Sequence, residues 1–264
     1  FIDEAEQLAK FHRDNDGLST LVVTTEQVYN EFSSGAPDVS AIRDMMRMFY
    51  KKSIGPQDMP KYLLLIGDGS YDNKNREYST NNLILTWQSA SGCSFTGSYV
   101  TDDFFGLLDD DEGNVNSGEE VDIGIGRFPV FTNEQAQVCV DKVINYSTEP
   151  GYIVEEASCN NGVRSPLGDW RNTICYVGDD EDSNTHLQHN EIMVSISQQL
   201  ANEFTVDKIY FDAFQQISTP GGKRYPSVKD AITKRVERGS LLINYAGHGG
   251  ETGWSEERVL EVSD

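Results

Sequence analysis

Apolar and polar positions along the chain switch between a helical period and a strand period, and this alternation predicts an α/β fold with mainly parallel sheets flanked by helices. The chain opens on a helical pattern, after which Leu18 to Thr25 and Tyr62 to Gly67 read as strands. The second of these is a nearly continuous apolar run, which suits a sheet covered on both faces. Between them Asp38 can cap a helix whose Val39, Ile42, Met46 and Phe49 recur on one side. Val121 to Val130 alternates as a strand, and Thr132 with Gln135 forms a capping-box start for a helix reaching about Tyr146. Thr148-Glu149-Pro150-Gly151 breaks the pattern. That break divides the chain into two expected subdomains, 1–150 and 151–264.

After a loop rich in Asn, Gly and Pro, a second series begins with a strand over Thr173 to Val177, a helix from Leu187 to Phe204 and a strand over Val206 to Tyr210. Pro226 then suits the first turn of a helix with Val228, Ala231, Ile232 and Val236 as its buried stripe, and Gly239 can end it in the left-handed conformation. Leu241 to Ala246 is a third strand. Three strands joined by two crossover helices predict a right-handed parallel unit, yet only about 18 residues follow the last strand. The second sheet is therefore expected to be incomplete, with an exposed apolar edge.

Composition narrows the functional classes. With 264 residues and 38% apolar content the chain can bury a sizeable core. Its net charge of −22 repels phosphate backbones and anionic membrane surfaces, so nucleic acid is not expected as a partner. No apolar run approaches the roughly 18 residues of a spanning helix. The opening Phe1-Ile2-Asp3-Glu4 lacks the basic start of a signal peptide, so any targeting segment is expected to have been removed, and the compartment stays open. Cys93, Cys139, Cys159 and Cys175 form no CxxC pair and no zinc-type spacing. Cys139 and Cys175 sit among apolar residues and are expected to be buried thiols, whereas a disulfide is one reading of Cys93 and Cys159.

In an open parallel sheet, ligands bind at the carboxyl ends of the strands. Three such ends stand out: Gly67 to Asp72, Gly178 to Asp182, and Gly247-His248-Gly249-Gly250. The first lacks the Lys and spacing of a P-loop and reads as a structural turn. At the last, an apolar strand delivers one imidazole between glycines. Neutral His is the usual general base near neutral pH, and a neighbouring Gly N–H can donate to an oxyanion. The bland alternative is a turn His satisfied by nearby carbonyls. Asp179 follows a strand expected to lie close to the His strand, so its carboxylate can orient the imidazole, against the alternative of a solvated acidic loop. Asp102, Asp103, Asp109, Asp111 and Glu120 are dense enough to suggest a structural calcium site, although the EF-hand pattern fails at Asn114 and a solvated charge run competes with it.

The segment Leu241-Leu-Ile-Asn-Tyr-Ala-Gly-His-Gly-Gly-Glu-Thr-Gly-Trp254 resembles the catalytic His segment of the gingipain family of cysteine peptidases, in the caspase-like clan. Gly126-Arg127-Phe128-Pro129-Val130 is similar to that family's closing strand of the first subdomain. Thr101 to Asp109 is most similar to the cell-surface sortases of type IX secretion. The resemblance implies two caspase-like subdomains, with His at the end of one strand and a nucleophilic Cys at the end of the next. It assigns His248 as acid and base, Gly249 as oxyanion donor, Asp179 as orienting acid, and places Gly250 and His186 on the substrate side. It implies protein or peptide substrates, no required cofactor, a secreted or cell-surface location, and association with bacterial outer-membrane secretion machinery.

Two departures qualify that expectation. None of the four cysteines fits the family's nucleophile position, which lies some thirty residues beyond the His, so the chain by itself is expected to be inactive. Arg-specific gingipains carry an Asp before an Ile-Gln-His run where this sequence reads His186-Leu187-Gln188-His189. Arg specificity therefore does not carry over. Two other classes stand beside the peptidase: an esterase, since His248-Gly249-Gly250 also resembles an oxyanion loop, although no G-x-S-x-G occurs, and a non-catalytic, calcium-stabilised surface module.

Overall fold

The computed structural model describes residues 1–74, 76, 82–90, 97–115, 118–147, 169–200, 203–250, 252–261 and 263–264. The side chains of Asp169 and Leu200 are not included. The chain is a mixed α/β protein with mainly parallel pairing of its longer strands. It divides into two compact units, Phe1–Glu149 and Pro150–Asp264.

The first unit starts with helix α1 (Ile2–Asp16), which ends at Gly17 in the left-handed conformation. The expected strand over Leu18 to Thr25 does not form: no pairing engages these residues, and Leu21 is exposed. Local chemistry explains the difference. Thr24 and Gln27 exchange side-chain and backbone hydrogen bonds in a full capping box, which commits Thr25–Phe32 to helix α2. Asp38 accepts from the Ser40 N–H and starts α3 (Val39–Lys52), which buries Ala41, Ile42, Met45 and Met46. Strand β1 (Tyr62–Ile66), the short antiparallel partners β2 (Trp87–Gln88) and β3 (Val100–Thr101), and β4 (Gly124–Phe128) follow.

β1 and β4 pair in parallel from Tyr62↔Gly124 to Ile66↔Phe128. Among the described residues this pair is the whole parallel sheet of the first unit, smaller than the complete sheet expected. Nor is β1 covered on both faces, since Leu65 is buried while Tyr62 and Leu64 are exposed. Ile42, Met46, Leu65, Phe104, Phe105 and Leu108 make the core. Thr132 and Gln135 exchange hydrogen bonds at the start of α4 (Asn133–Ser147).

In the second unit β5 (Thr173–Gly178) is central and parallel to both neighbours, β6 (Thr205–Tyr210) and β9 (Leu242–Ala246). Strand alternation sorts its side chains. Cys175 and Val177 join Val228 and Ile232 of α6 (Pro226–Arg238) in one core, while Tyr176 bonds Ser197 of α5 (Glu181–Leu200) on the other face. Asn190, fully buried on α5, donates to the Val177 carbonyl and accepts from Asn244, tying the helix to β5 and β9. A hairpin of β7 (Ile217–Thr219) and β8 (Gly222–Arg224) precedes α6. β9 leads into a small antiparallel sheet of β10 (Gly249–Gly250), β11 (Gly253–Trp254) and β12 (Leu260–Glu261).

Two boundaries differ from expectation. α5 begins six residues before Leu187, at Glu181, and contains three left-handed residues, Asp182, Ser183 and Asn184. Gly239 has φ 84° but ψ 151°, a positive-φ conformation that is not the left-handed helical one; a Cβ there would stand 2.9 Å from Trp170. Glycine answers both demands.

Arg127 of β4 holds the first unit's strand ends together. Its guanidinium donates twice to Asp102, at 2.7 Å each, and also to the carbonyls of Gly67 and Ile84. Both side chains are largely shielded from water. Asp102→Ala strands the Arg127 charge, and urea denaturation is expected to show a loss of about 2–4 kcal/mol, toward the low end because the pair keeps some water contact.

Candidate active site

β5 and β9 run in register, so Gly178 lies beside Ala246 and the residues following them share one sheet edge. There the Asp179 N–H donates to the Ala246 carbonyl at 3.0 Å. Asp179 is completely buried. One carboxylate oxygen accepts from the Glu181 N–H at 3.2 Å and the other from the His248 N–H at 3.4 Å. The approach needs bare glycines: a Cβ on Gly247 would stand 2.5 Å from the Asp179 Cβ, and one on Gly178 would stand 2.5 Å from Leu187.

The His248 backbone is fixed on its other side as well. Its carbonyl accepts from the Tyr245 hydroxyl at 2.7 Å and from the Ser255 N–H at 2.8 Å. Tyr245 in turn stacks on Trp254, with ring centroids 4.3 Å apart and 4° between planes. The main chain is clamped while the imidazole remains about half exposed, at 48%.

Three carboxylates surround that ring. Nδ1 lies 3.8 Å from Asp179 and 3.5 Å from Glu181, and Nε2 lies 3.2 Å from Asp182. His186 meets it edge-on, with centroids 4.9 Å apart. Asp179 therefore grips the His248 backbone more closely than its ring, and Glu181 is the nearer acid to Nδ1. Burial, then the Asp179, Glu257 and Glu256 carboxylates, push the Glu181 carboxyl above the ordinary glutamate range, with His248 opposing.

The pairing of the glycines bears on the oxyanion. Ser255 N–H to His248 carbonyl is a ladder bond, and in an antiparallel pair bonded positions alternate with non-bonded ones. The next pair, Gly249↔Trp254, is then non-bonded, which turns the Gly249 N–H away from β11. Gly249 and Gly250 are both exposed, with open space where a Cβ would stand. Among the described residues no acceptor meets the Gly249 N–H, which lies one residue from the imidazole.

The model for peptidase family C25 matches residues 1–264. The chain belongs to this family of cysteine peptidases. The gingipain resemblance of the sequence is thereby established. Among curated proteins no match is found. A solved structure, dimeric latent PorU from Porphyromonas gingivalis, is 41% identical to this chain, with a TM-score of 0.47. The match covers 55% of this chain and 14% of that one, so the chain spans a small part of that relative's length.

Sequence reasoning singled out His248, Asp179, Gly249, Gly250 and His186, and these all lie around one strand edge of the C25 chain. It passed over Glu181 and Asp182 as chemistry. The acidic run after a strand was the available signal, and its reading as a solvated loop hid them. The carboxylates Asp102, Asp103, Asp109, Asp111 and Glu120 are not brought together. Among the described residues, the groups of three or more with ligating atoms within 4.8 Å of one another are both at His248. Asp102 is instead bonded to Arg127, and the Asp109 carboxylate accepts from Tyr50.

Of the described cysteines, Cys175 alone shares the second unit with His248, and it is not placed to act on it. Cys139 is half-buried on α4 in the first unit. Cys175 has no exposure and points into the core beside α6. Cys93 and Cys159 lie outside the described residues. Burial, with the Asp207 charge adding to it, pushes the Cys175 thiol from 9.0 up to about 12. Above pH 9 the unfolded chain loses this proton first, so Cys175 lowers stability as pH rises from 9 to about 12. In native protein at pH 8, Cys175 is expected to resist iodoacetamide, and to react as soon as urea unfolds the second unit. Mass spectrometry of the labelled peptide checks this, and rapid native labelling would contradict the buried placement.

Proposed function

We propose that the second unit carries the histidine half of a Cys-His endopeptidase site. In this reading His248 Nε2 accepts the thiol proton, the thiolate attacks the scissile carbonyl carbon, and the oxygen left negative is held by the Gly249 N–H. The protonated imidazole then gives its proton to the leaving amine. The acyl group passes to water, or to an acceptor amine if the enzyme is a transpeptidase. Asp179 and Glu181 are positioning residues: the first holds the His248 main chain, and the second faces Nδ1.

The observation that carries the reading is the clamped His248 backbone with a half-exposed ring beside a Gly N–H that has no acceptor among the described residues. Membership of C25 supplies the reaction class. The nucleophile is proposed to come from a strand beside β9, whose outer side has no partner among the described residues. The 264-residue chain alone is then expected not to cleave peptides. The proposed substrates are exported proteins, met outside the cell or at its surface, where the longer protein would work with the secretion machinery of the outer membrane.

The test uses the protein in a form that carries the nucleophile. His248→Ala is expected to lower kcat/KM on a peptide substrate by at least about 100-fold, as removal of a general base does. Asp179→Ala is expected to lower it less, because it acts through the histidine. Wild-type cleavage by His248→Ala would overturn the proposal.

A further inference from the structure

We infer that His248, His186 and Asp182 form a binding site for a divalent transition metal, with Zn²⁺ the ion that fits best. One donor atom from each lies within 4.8 Å of the other two. Asp182 stands 3.2 Å from His248 Nε2 and 3.8 Å from His186 Nε2. Tetrahedral zinc with bonds near 2.0–2.1 Å sets its donors about 3.3 Å apart. One edge already has that length, and the others need small side-chain rotations.

A second observation points to a ligand independently of the spacing. His186 Nε2 is shut off from water and has no hydrogen-bond partner among the described residues. A buried ring nitrogen left unpaired is costly, and a metal ion would use its lone pair. Its ring is held edge-on to that of His248. The left-handed run Asp182-Ser183-Asn184 is the local backbone from which the Asp182 carboxylate reaches His248.

The donor set selects the metal class. Two imidazoles and one carboxylate suit zinc, whereas calcium and magnesium want six or more oxygens and find one here. Three protein donors leave a fourth position, which the exposure of Asp182 and His248 opens to solvent. The second triad, Asp179, Glu181 and His248, offers one nitrogen and no unpaired imidazole, so it is the poorer zinc site. An ion on Nε2 excludes proton transfer there, so zinc would inhibit cleavage. That consequence rests on the function proposed above, whereas the binding itself does not.

The experiment is calorimetric titration of the 264-residue chain with ZnCl₂ in a non-chelating buffer, alongside His186→Gln and Asp182→Asn checked for folding by circular dichroism. One saturable site is expected, weakened at least about 10-fold by either substitution. Zinc K-edge absorption on the loaded chain is expected to show two imidazole nitrogens at about 2.0 Å. Asp182→Asn removes one charge from an exposed side chain in a protein of net charge −22, so a large effect is not generic loss of attraction. It also keeps the test decisive if His186→Gln fails to fold. No saturable binding, equal affinity in a folded variant, or displacement of zinc by equimolar calcium would overturn the site. None of these results bears on whether His248 is the catalytic base.

Discussion

The second unit is organised around one buried carboxylate. Asp179 has no exposure to water, and an unsatisfied anion in that position costs several kcal/mol. Its two oxygens are satisfied by the N–H groups of Glu181 and His248, one from the chain leaving β5 and one from the chain leaving β9. The requirement sets the register of those strands, because a slip of one residue would carry the His248 N–H out of reach and turn every side chain of β9 to the other face. It also explains Gly178 and Gly247, where a Cβ would collide with Leu187 on one side and with Asp179 and Tyr245 on the other.

With the backbone settled by Asp179, the ring of His248 is left to its neighbours. Glu181 and Asp182 face opposite nitrogens, and His186 closes the side. Division of labour follows from burial. The buried acid cannot move and serves as an anchor. Asp182 is largely exposed and can swing away from Nε2, so the side chain proposed to complete a metal site need not obstruct a substrate. In the proposed reading, base catalysis and metal binding would compete for a single lone pair.

Much of this was legible in the sequence, and the part that was missed has a physical pattern. The strands β1, β5, β6 and β9 and the helices α3, α4 and α6 are visible because apolar period, caps and terminal glycines agree at those places. His248 and Asp179 could be placed at one sheet edge because each comes just after an apolar strand, and parallel topology brings such ends together. The strand expected at Leu18 to Thr25 was lost to a capping box four residues long, a local interaction that apolar content does not report. The carboxylates read as a calcium site form no three-donor group among the described residues, and two of them have partners of their own, Asp102 in Arg127 and Asp109 in Tyr50. The pairing of His186 with His248 spans 62 residues and no periodicity connects them.

The start of α5 shows why a site can be hard to read where it is most specific. A helix beginning at Leu187 would satisfy every local preference, and the residues before it would be an ordinary acidic loop. Instead Asp182, Ser183 and Asn184 are all left-handed, a conformation that costs a non-glycine residue roughly 1–2 kcal/mol each. Asp and Asn tolerate it best of the ordinary residues, and Ser is at least small. Such a run persists only where the surroundings fix both of its ends. Here Asp179 fixes one end through the Glu181 N–H, and Asn190 fixes the other by binding α5 to the Val177 carbonyl and to Asn244. The strain is therefore carried by the same two buried polar residues that lock the sheet register, and it holds the Asp182 carboxylate at the imidazole. A helix of ordinary geometry would have its first turn elsewhere and leave His248 without that neighbour.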